Sequence, residues 1–210
     1  MKRNTLSIVI LWMTVLSGYG QSFNLQELLK DKKLQGFGRP FEVLAGESKK
    51  AIRCEDGMAW IEGVNFATGT IEVDLRGRDV FQRSFIGIAF HGVDTAKVDV
   101  VYFRPFNFRA EDPERKIHAV QYMSLPDYDW ERLRKERNGV YEKGITPAPA
   151  ATEWFHARIV VGEKQILVYV NGAKDPALTV DKLNDHKDGL IGLWANGGQP
   201  ADFANLVIKK

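Results

Sequence analysis

The sequence has little cysteine and few histidines, which restricts the kinds of site it can build. Cys54 is the only cysteine among 210 residues, so the chain can form no internal disulfide and offers no pair of thiolates to a metal ion. The four histidines, His91, His118, His156 and His186, lack the spacing of metal ligands. We therefore predict no metal centre built on cysteine or histidine, and we interpret Cys54 as a buried free thiol.

An excess of charge of one sign is also missing. The chain has 29 basic and 27 acidic residues, a formal net charge of +2. Lys2 and Arg3 belong to a predicted leader, and without them the basic count falls from 29 to 27 and equals the acidic count. Nucleic-acid-binding proteins usually carry a clear basic excess. We therefore predict no nucleic-acid partner and, once the leader is removed, no membrane partner.

No hydrophobic run is long enough to span a bilayer comfortably. Residues 5–16 form an apolar stretch of about a dozen residues behind a basic start, which is typical of a signal peptide. Gly18 and Gly20 offer a cleavage site before Gln21, and no cysteine nearby could carry a lipid. We predict a signal peptide over residues 1–20 and a secreted or periplasmic mature protein. An uncleaved membrane anchor stays open as the alternative.

Most of the remaining chain reads as β-strands. Apolar residues make up 44% and aromatic residues 11% of the sequence, in short runs bounded by Gly, Asn, Asp or Pro, which is typical of antiparallel sheets. Two short helices are predicted, over residues 23–34 and 129–138, the second within a long insertion at 110–152. The predicted domains are an N-terminal segment (21–40) and one β-sandwich (41–210). The predicted strands cover residues 41–44, 51–54, 58–61, 69–75, 84–91, 98–106, 118–123, 154–161, 166–170, 189–195 and 203–208.

Four stretches resemble a known superfamily. They are Val-Tyr-Phe-Arg-Pro-Phe-Asn-Phe at 101–108, Val-Gln-Tyr at 120–122, Leu-Pro-Asp-Tyr-Asp-Trp-Glu-Arg-Leu-Arg at 125–134, and the closing strands of residues 152–210. Together they resemble exported bacterial single-domain proteins of the concanavalin A-like lectin/glucanase superfamily, which includes the laminin G-like jelly rolls. The resemblance implies an all-β, two-sheet antiparallel jelly-roll sandwich that presents a curved sheet to a sugar chain. A neighbouring group is named for hydrolysing 3-keto-disaccharides, but the motifs do not assign that chemistry here.

Strand alternation predicts a groove on one sheet. In segment 84–91, Ile86 and Ile88 point to one face, and Gly87 and Ala89 point to the other. Small residues at successive positions of one face leave room for a ligand. The predicted ligand-binding residues on this face and at its ends are His91, Tyr102, Arg104, Asn107, Gln121, Tyr122, Trp130, Arg158, Trp194 and Asn196.

This set of residues suits a carbohydrate. An aromatic ring such as Trp194 or Tyr102 covers the apolar face of a sugar ring, and amide or guanidinium groups bind its hydroxyls. Arg104 could also bind the carboxylate of a uronic acid. On this interpretation, replacing Trp194 or Arg104 by Ala leaves stability largely intact. The alternative is that Trp194 and Tyr102 belong to the core and that Arg104 is tied to an internal acid.

Glu72 and Asp74 are the acid pair that most resembles a catalytic site. They are two residues apart on a predicted strand, with Cα atoms roughly 6.6 Å apart on one face, and glycoside hydrolysis uses two facing carboxylates. The glucanase branch carries an E-x-D-x-x-E run, but Gly77 stands here in place of the third acid. Asp127 and Asp129 are further candidates. The alternative for Glu72 and Asp74 is a solvated strand face.

Three functions remain open from the sequence. The first is a carbohydrate-binding domain, the second is a glycoside hydrolase or related carbohydrate-cleaving enzyme, and the third is a structural or partner-binding module without a sugar site. An enzyme needs two carboxyl groups facing each other in the groove, and a structural module would fill the groove with its own side chains. We predict no cofactor. The resemblance allows a structural calcium at Asp94 or Asp99, although the sequence lacks a recognisable calcium loop.

Overall fold

The computed structural model describes residues 20–210. The predicted signal peptide falls almost entirely on residues 1–19 and so lies outside the described residues. In the described part of the chain, the helices are too short and too polar to cross a membrane.

The described residues form fifteen strands, three short α-helices and one 3₁₀ turn. The helices are α1 (Leu25–Lys30), α2 (Pro113–Lys116) and α3 (Trp130–Glu136), and the 3₁₀ turn is Pro105–Asn107. The strands are β1 (Gln21–Phe23), β2 (Leu34–Gly38), β3 (Glu42–Val43), β4 (Ile52–Cys54), β5 (Gly57–Phe66), β6 (Gly69–Arg76), β7 (Phe85–Gly92), β8 (Val98–Phe103), β9 (Val120–Leu125), β10 (Glu142–Lys143), β11 (Phe155–Val161), β12 (Gln165–Val170), β13 (Leu178–Asp181), β14 (Gly189–Asn196) and β15 (Ala201–Lys209).

The strands make two antiparallel sheets. The eight-stranded sheet runs β13-β12-β11-β6-β15-β4-β3, with β1 also paired to β15, and the seven-stranded sheet runs β10-β9-β8-β7-β14-β5-β2. Neighbours in both orders are often distant in the sequence, as expected for a jelly roll. The predicted fold class is confirmed.

The core lies between the sheets and follows the strand alternation. Ile71, Val73 and Leu75 of β6 are fully buried, and each such side chain contributes about 1.5–3 kcal/mol on burial. Across the interface, the ring of Phe103 in β8 meets the ring of Phe155 in β11 with centroids 5.0 Å apart. The opposite face of each sheet points away from this core.

The N-terminal segment differs from the sequence-based expectation, whereas the insertion contains the predicted strand and helix as β9 and α3. The helix predicted over residues 23–34 is shorter, because Asn24 caps α1 and the chain leaves the helix at Asp31. No strand was predicted in this segment, but it contains β2, which pairs with β5 at the sheet edge. Segment 110–152 contributes β9 and β10 to the seven-stranded sheet, so that sheet depends on it.

Candidate functional site

A row of directly paired residues crosses the seven-stranded sheet on the face away from the core. Trp194 of β14 pairs with Gly87 of β7, and Gly87 pairs with Tyr102 of β8. Tyr102 pairs with Gln121 of β9, which in turn pairs with Glu142 of β10. Since paired residues of neighbouring strands share a face, the sheet brings five positions from distant parts of the chain onto one line.

Gly87 allows the aromatic residues of this row to approach each other. A Cβ at Gly87 would lie 2.1 Å from the carbonyl oxygen of Val101 and 2.8 Å from Cβ of Tyr102, so any side chain there would clash. The rings of Trp194 and Tyr102, on either side of that strand, have centroids 5.2 Å apart. The space above Gly87 is therefore not an empty groove. The absence of a side chain at Gly87 lets the two rings meet above its strand.

The aromatic surface continues along the chain of rings from Tyr102. Phe85 lies 6.1 Å from Tyr102 and 5.6 Å from Phe106, measured between ring centroids. Phe81 lies 5.7 Å from Phe106 and is 53% exposed. Offset and edge-on ring contacts of this kind are favourable. The result is a continuous aromatic surface that leads from the sheet to solvent.

Arg104 is held beneath this surface by four neighbours. One terminal nitrogen donates to Glu142 Oε2 at 3.1 Å and to the His118 carbonyl at 3.2 Å. The other donates to the Tyr102 hydroxyl at 2.6 Å and to Gln121 Oε1. The side chain is nearly completely buried. Burial raises the pKa of Tyr102 to about 12, against the opposing effect of Arg104, so this hydroxyl stays protonated and donates to Gln121 at 2.6 Å.

Glu142 gathers several donors on one carboxylate oxygen. Its Oε2 lies 3.1 Å from Arg104, 3.3 Å from Arg134 and 2.7 Å from His118 Nδ1. The contact to His118 lacks the alignment of a hydrogen bond. Within residues 20–210, Glu142 Oε1, Gln121 Nε2 and Arg134 Nε are also buried without a hydrogen-bond partner. The floor of the site therefore carries unused hydrogen-bonding capacity.

Helices α2 and α3 supply the side chains opposite the sheet. Asp129 caps α3 by accepting a hydrogen bond from the Arg132 backbone at 2.8 Å. Trp130 and Arg134 then lie four residues apart on one helix face, with the guanidinium 5.4 Å from the indole centroid. At the end of α2, the Arg115 guanidinium lies 4.3 Å from the centroid of Phe81.

These elements enclose a cavity of about 620 Å³, within the usual range for small-ligand sites. Hydrogen-bonding side chains from α2, α3, β14 and the 3₁₀ turn interrupt the aromatic lining. The aromatic residues that line it are Phe81, Phe85, Tyr102, Phe106, Trp130 and Trp194.

Seven of the ten predicted ligand-binding residues come together here. Gln121 lies behind the cavity wall in the Arg104 network, and Asn107 donates from Nδ2 to the His118 carbonyl at 3.1 Å. The predicted residues that line the cavity itself are Tyr102, Arg104, Asn107, Trp130, Trp194 and Asn196.

The placement of His91 and Tyr122 on the groove face is wrong. His91 has a left-handed φ of 52°, where the register of β14 is also shifted, so strand alternation fails there. Its fully buried ring contacts Asp99 Oδ2 at 2.8 Å and the Ala67 carbonyl at 2.6 Å. Tyr122 faces the core, stacks on Phe90 and donates to Asp99 at 3.1 Å.

Arg158 is also wrongly placed by the sequence. It belongs to β11 in the eight-stranded sheet, opposite Glu72 of β6, and its guanidinium lies 3.7 Å from the ring centroid of Tyr169. Alternation gave the correct face of the strand, away from the core. It could not tell which of the two sheets contains the strand.

Glu72 and Asp74 lie on the outer face of the eight-stranded sheet and not in the cavity. Asp74 is bound by His156 at 2.8 Å, Lys49 at 2.6 Å and Asn205 at 2.8 Å. Burial acts to raise the pKa of Asp74, but these hydrogen bonds outweigh it and bring the pKa to about 2. A carboxylate with such a low pKa stays ionised and does not act as a general acid, and its oxygens are already bound by His156, Lys49 and Asn205.

We expect the contact between Asp74 and His156 to make stability depend on pH. The hydrogen bond to Asp74 raises the pKa of His156, against the effect of burial. The contact contributes fully to stability below the pKa of His156 in the unfolded chain, about 6.5. The contribution is lost as the pH rises through the higher pKa of His156 in the folded protein. The urea midpoint of the parent should therefore fall more than that of His156→Gln between about pH 6 and pH 9. Parallel midpoints across this range would contradict the expectation.

The other predicted acids do not line the cavity either. Asp127 is exposed, with its carbonyl accepting from Arg132 at 2.8 Å, and Asp129 is the cap of α3. Asp94 accepts two backbone hydrogen bonds in its own turn, and Asp99 is enclosed by His91, Tyr122 and Asn184. Among residues 20–210, no three acidic, histidine or cysteine side chains are grouped as metal ligands.

The burial of Arg104 contradicts the expectation that it can be removed at little cost. Arg104→Ala would leave Glu142 with one arginine instead of two, and breaking a buried ion pair costs about 3–5 kcal/mol. Because Arg134 remains 3.3 Å away, we expect a loss near the lower limit, about 3 kcal/mol. In chemical denaturation, the added effect of Arg104→Ala should be much smaller in a Glu142→Gln background. Equal effects in both backgrounds would show that the two residues are not coupled.

Sequence reasoning missed several residues of the site. Arg134 could have been predicted from the sequence, since it follows the predicted site residue Trp130 by about one helical turn. Glu142 could not have been predicted, because β10 has only two residues and its register follows only from the fold. Arg115 and Phe81 meet through tertiary contact alone.

The sequence matches no protein-family model and no curated protein. Its fold is similar to that of solved structures. The carbohydrate-binding module CBM66 from Bacillus subtilis gives a TM-score of 0.59 at 13% identity, covering 85% of this chain and 96% of that chain. A protein of unknown function with a galectin-like fold from Bacillus subtilis gives a TM-score of 0.60 at 12% identity, covering 90% of this chain and 94% of that chain.

A third structure, described as a native glycosidic hydrolase, gives a TM-score of 0.56 at 13% identity, covering 93% of this chain and 97% of that chain. At such identities a structural likeness establishes the fold and leaves the function open. The chain therefore has a two-sheet antiparallel jelly-roll fold, as the sequence resemblance implied.

Proposed function

We propose that this protein binds a carbohydrate in the cavity on the outer face of its seven-stranded sheet. The observation that carries the proposal is the meeting of Trp194 and Tyr102, 5.2 Å apart, beside a wall of hydrogen-bonding side chains. Aromatic rings cover the apolar faces of sugars, and amide and guanidinium groups bind sugar hydroxyls in fixed directions. The cavity offers both kinds of surface.

Two observations favour binding over the alternatives. The acids that line the cavity are Asp112 and Glu114, both exposed at the start of α2, where Asp112 accepts from the Glu114 backbone at 2.9 Å. They lie in the same helical turn, and hydrolysis requires carboxyl groups on opposite sides of the bond to be cleaved. An open cavity of about 620 Å³ also argues against a purely structural module.

The predicted export of the chain fits this proposal, because polysaccharides are abundant outside the cytoplasm. The similar folds of a protein named as a carbohydrate-binding module and of one named as a glycosidic hydrolase support it further. The test is a glycan array probed with the purified protein, followed by calorimetric titration of the best ligands. The proposal requires at least one saturable ligand and fails if the folded protein binds no glycan.

A further inference from the structure

We propose that the carbohydrate bound in this cavity is acidic, with a carboxylate or sulfate group placed against Arg134 and Arg115. This inference rests on the proposed function and names the class of its ligand. It differs from the sequence-based idea that Arg104 binds a uronic acid, since all the terminal nitrogens of Arg104 already have internal partners.

The floor of the cavity has an excess of positive charge. Arg104 and Arg134 converge on one carboxylate, that of Glu142, at 3.1 and 3.3 Å. Arginine keeps its proton in proteins, so two positive charges face one negative charge where Arg104 and Glu142 are both buried. The Arg134 side chain is 38% exposed, so water partly solvates this extra charge, while its Nε stays buried without a partner among the described residues. An anionic ligand group would compensate the charge.

Arg115 adds a second guanidinium without a countercharge. Within the described chain its guanidinium contacts are neutral: Asn107 Oδ1 at 3.3 Å, the Phe106 carbonyl at 2.9 Å and the Phe81 ring. The cavity acids Asp112 and Glu114 are exposed, where water screens their charge, and neither pairs with an arginine among residues 20–210. The arginine charge is thus available to a ligand.

The buried hydrogen-bonding groups without a partner also support an acidic ligand. Gln121 Nε2 and Glu142 Oε1 are an unused donor and an unused acceptor on paired residues behind the cavity wall, which one water molecule could satisfy. Arg134 Nε is a further buried donor without a partner. Because Arg134 is charged and lines the cavity, this donor suits a ligand group that only accepts hydrogen bonds, and carboxylates and sulfates are such groups.

The test compares each acidic glycan with its own neutral form. Oligogalacturonides, hyaluronan and chondroitin sulfate fragments would be titrated beside neutral galactan and glucan fragments. The best ligand would then be titrated after reduction of its carboxyl groups or removal of its sulfates. We expect the modification that removes the recognised anion to weaken binding at least about tenfold, which corresponds to one charge-assisted hydrogen bond. Which modification has this effect distinguishes a carboxylate from a sulfate.

Two variants of α3 provide the matched comparison. Arg134→Gln should weaken the acidic ligand about tenfold, whereas Arg132→Gln removes the same charge on the same helix at a position paired with Glu136 and should change affinity less than about twofold. Arg115→Gln is the second cavity variant. Thermal unfolding of each variant checks that it folds.

The outcomes separate this inference from the proposed function. Neutral glycans that bind as tightly as acidic ones, or Arg134→Gln and Arg115→Gln variants that both bind normally, would overturn the acidic ligand and leave carbohydrate binding in place. Failure of every glycan to bind would overturn both proposals.

Discussion

Replacing Asp202 by Ala should lower the free energy of unfolding by about 3–5 kcal/mol, the usual cost of breaking a buried ion pair. The Asp202 carboxylate has no exposed surface and binds Arg53 at 2.6 Å, Arg76 at 2.8 Å and Arg78 at 3.1 Å. Burial acts to raise its pKa, but the hydrogen bonds from Arg53 and Arg76 outweigh burial and lower it. Removing this carboxylate leaves three guanidinium groups close together without their shared countercharge.

Thermal unfolding would measure the effect, with an expected fall in Tm of about 6–20 °C for a chain of this size. Asp202→Asn keeps the shape of the side chain, but its Tm should fall nearly as far, because the three arginines require the negative charge. Asp175→Asn, in an exposed loop, is the matched control and should change Tm by no more than about 2 °C. A normal Tm for Asp202→Asn would mean that shape and not charge holds this cluster together.

Replacing Trp194 by Ala should weaken carbohydrate binding about thirtyfold or more, because central aromatic residues of binding sites contribute about 2 kcal/mol or more. Trp194 is half-buried at the cavity wall, and its ring contacts Tyr102. Part of its ring is therefore exposed to a ligand, so the loss of stability should be smaller than the roughly 3–5 kcal/mol typical of a fully buried tryptophan.

Trp154 offers the matched control for this substitution. It is also half-buried, but it lies beside the eight-stranded sheet, with the Arg76 guanidinium 4.6 Å from its ring centroid. Calorimetric titration should find that Trp154→Ala keeps the affinity of the parent while Trp194→Ala loses it. Equal carbohydrate affinity of the two variants would show that Trp194 does not belong to the binding site.

The sequence predicted the strands better than their arrangement. Alternation in β7 placed Ile86 and Ile88 in the core correctly, because one buried face imposes a period of two residues on the strand. The same rule failed at His91, where a left-handed residue and a register shift break the alternation. It also could not assign Arg158 to a sheet, since sheet membership depends on pairings between residues far apart in the chain.

The candidate site divides in the same way. Tyr102 and Trp194 were predictable, since each is an aromatic residue on the outer face of a predicted strand. Glu142 was not, because its importance comes from two arginines that converge on it only after β9 and β10 have paired. The sequence also could not show that Arg104 is held by internal partners, which moves the proposed contact with the ligand to Arg134.

The most direct test of the account is a crystal structure of the protein with its best glycan from the array. We predict a sugar ring against Trp194 in the cavity of the seven-stranded sheet, with its acidic group beside Arg134. A glycan bound at the outer face of the eight-stranded sheet, near Trp154, with the cavity empty at saturating ligand, would contradict the account.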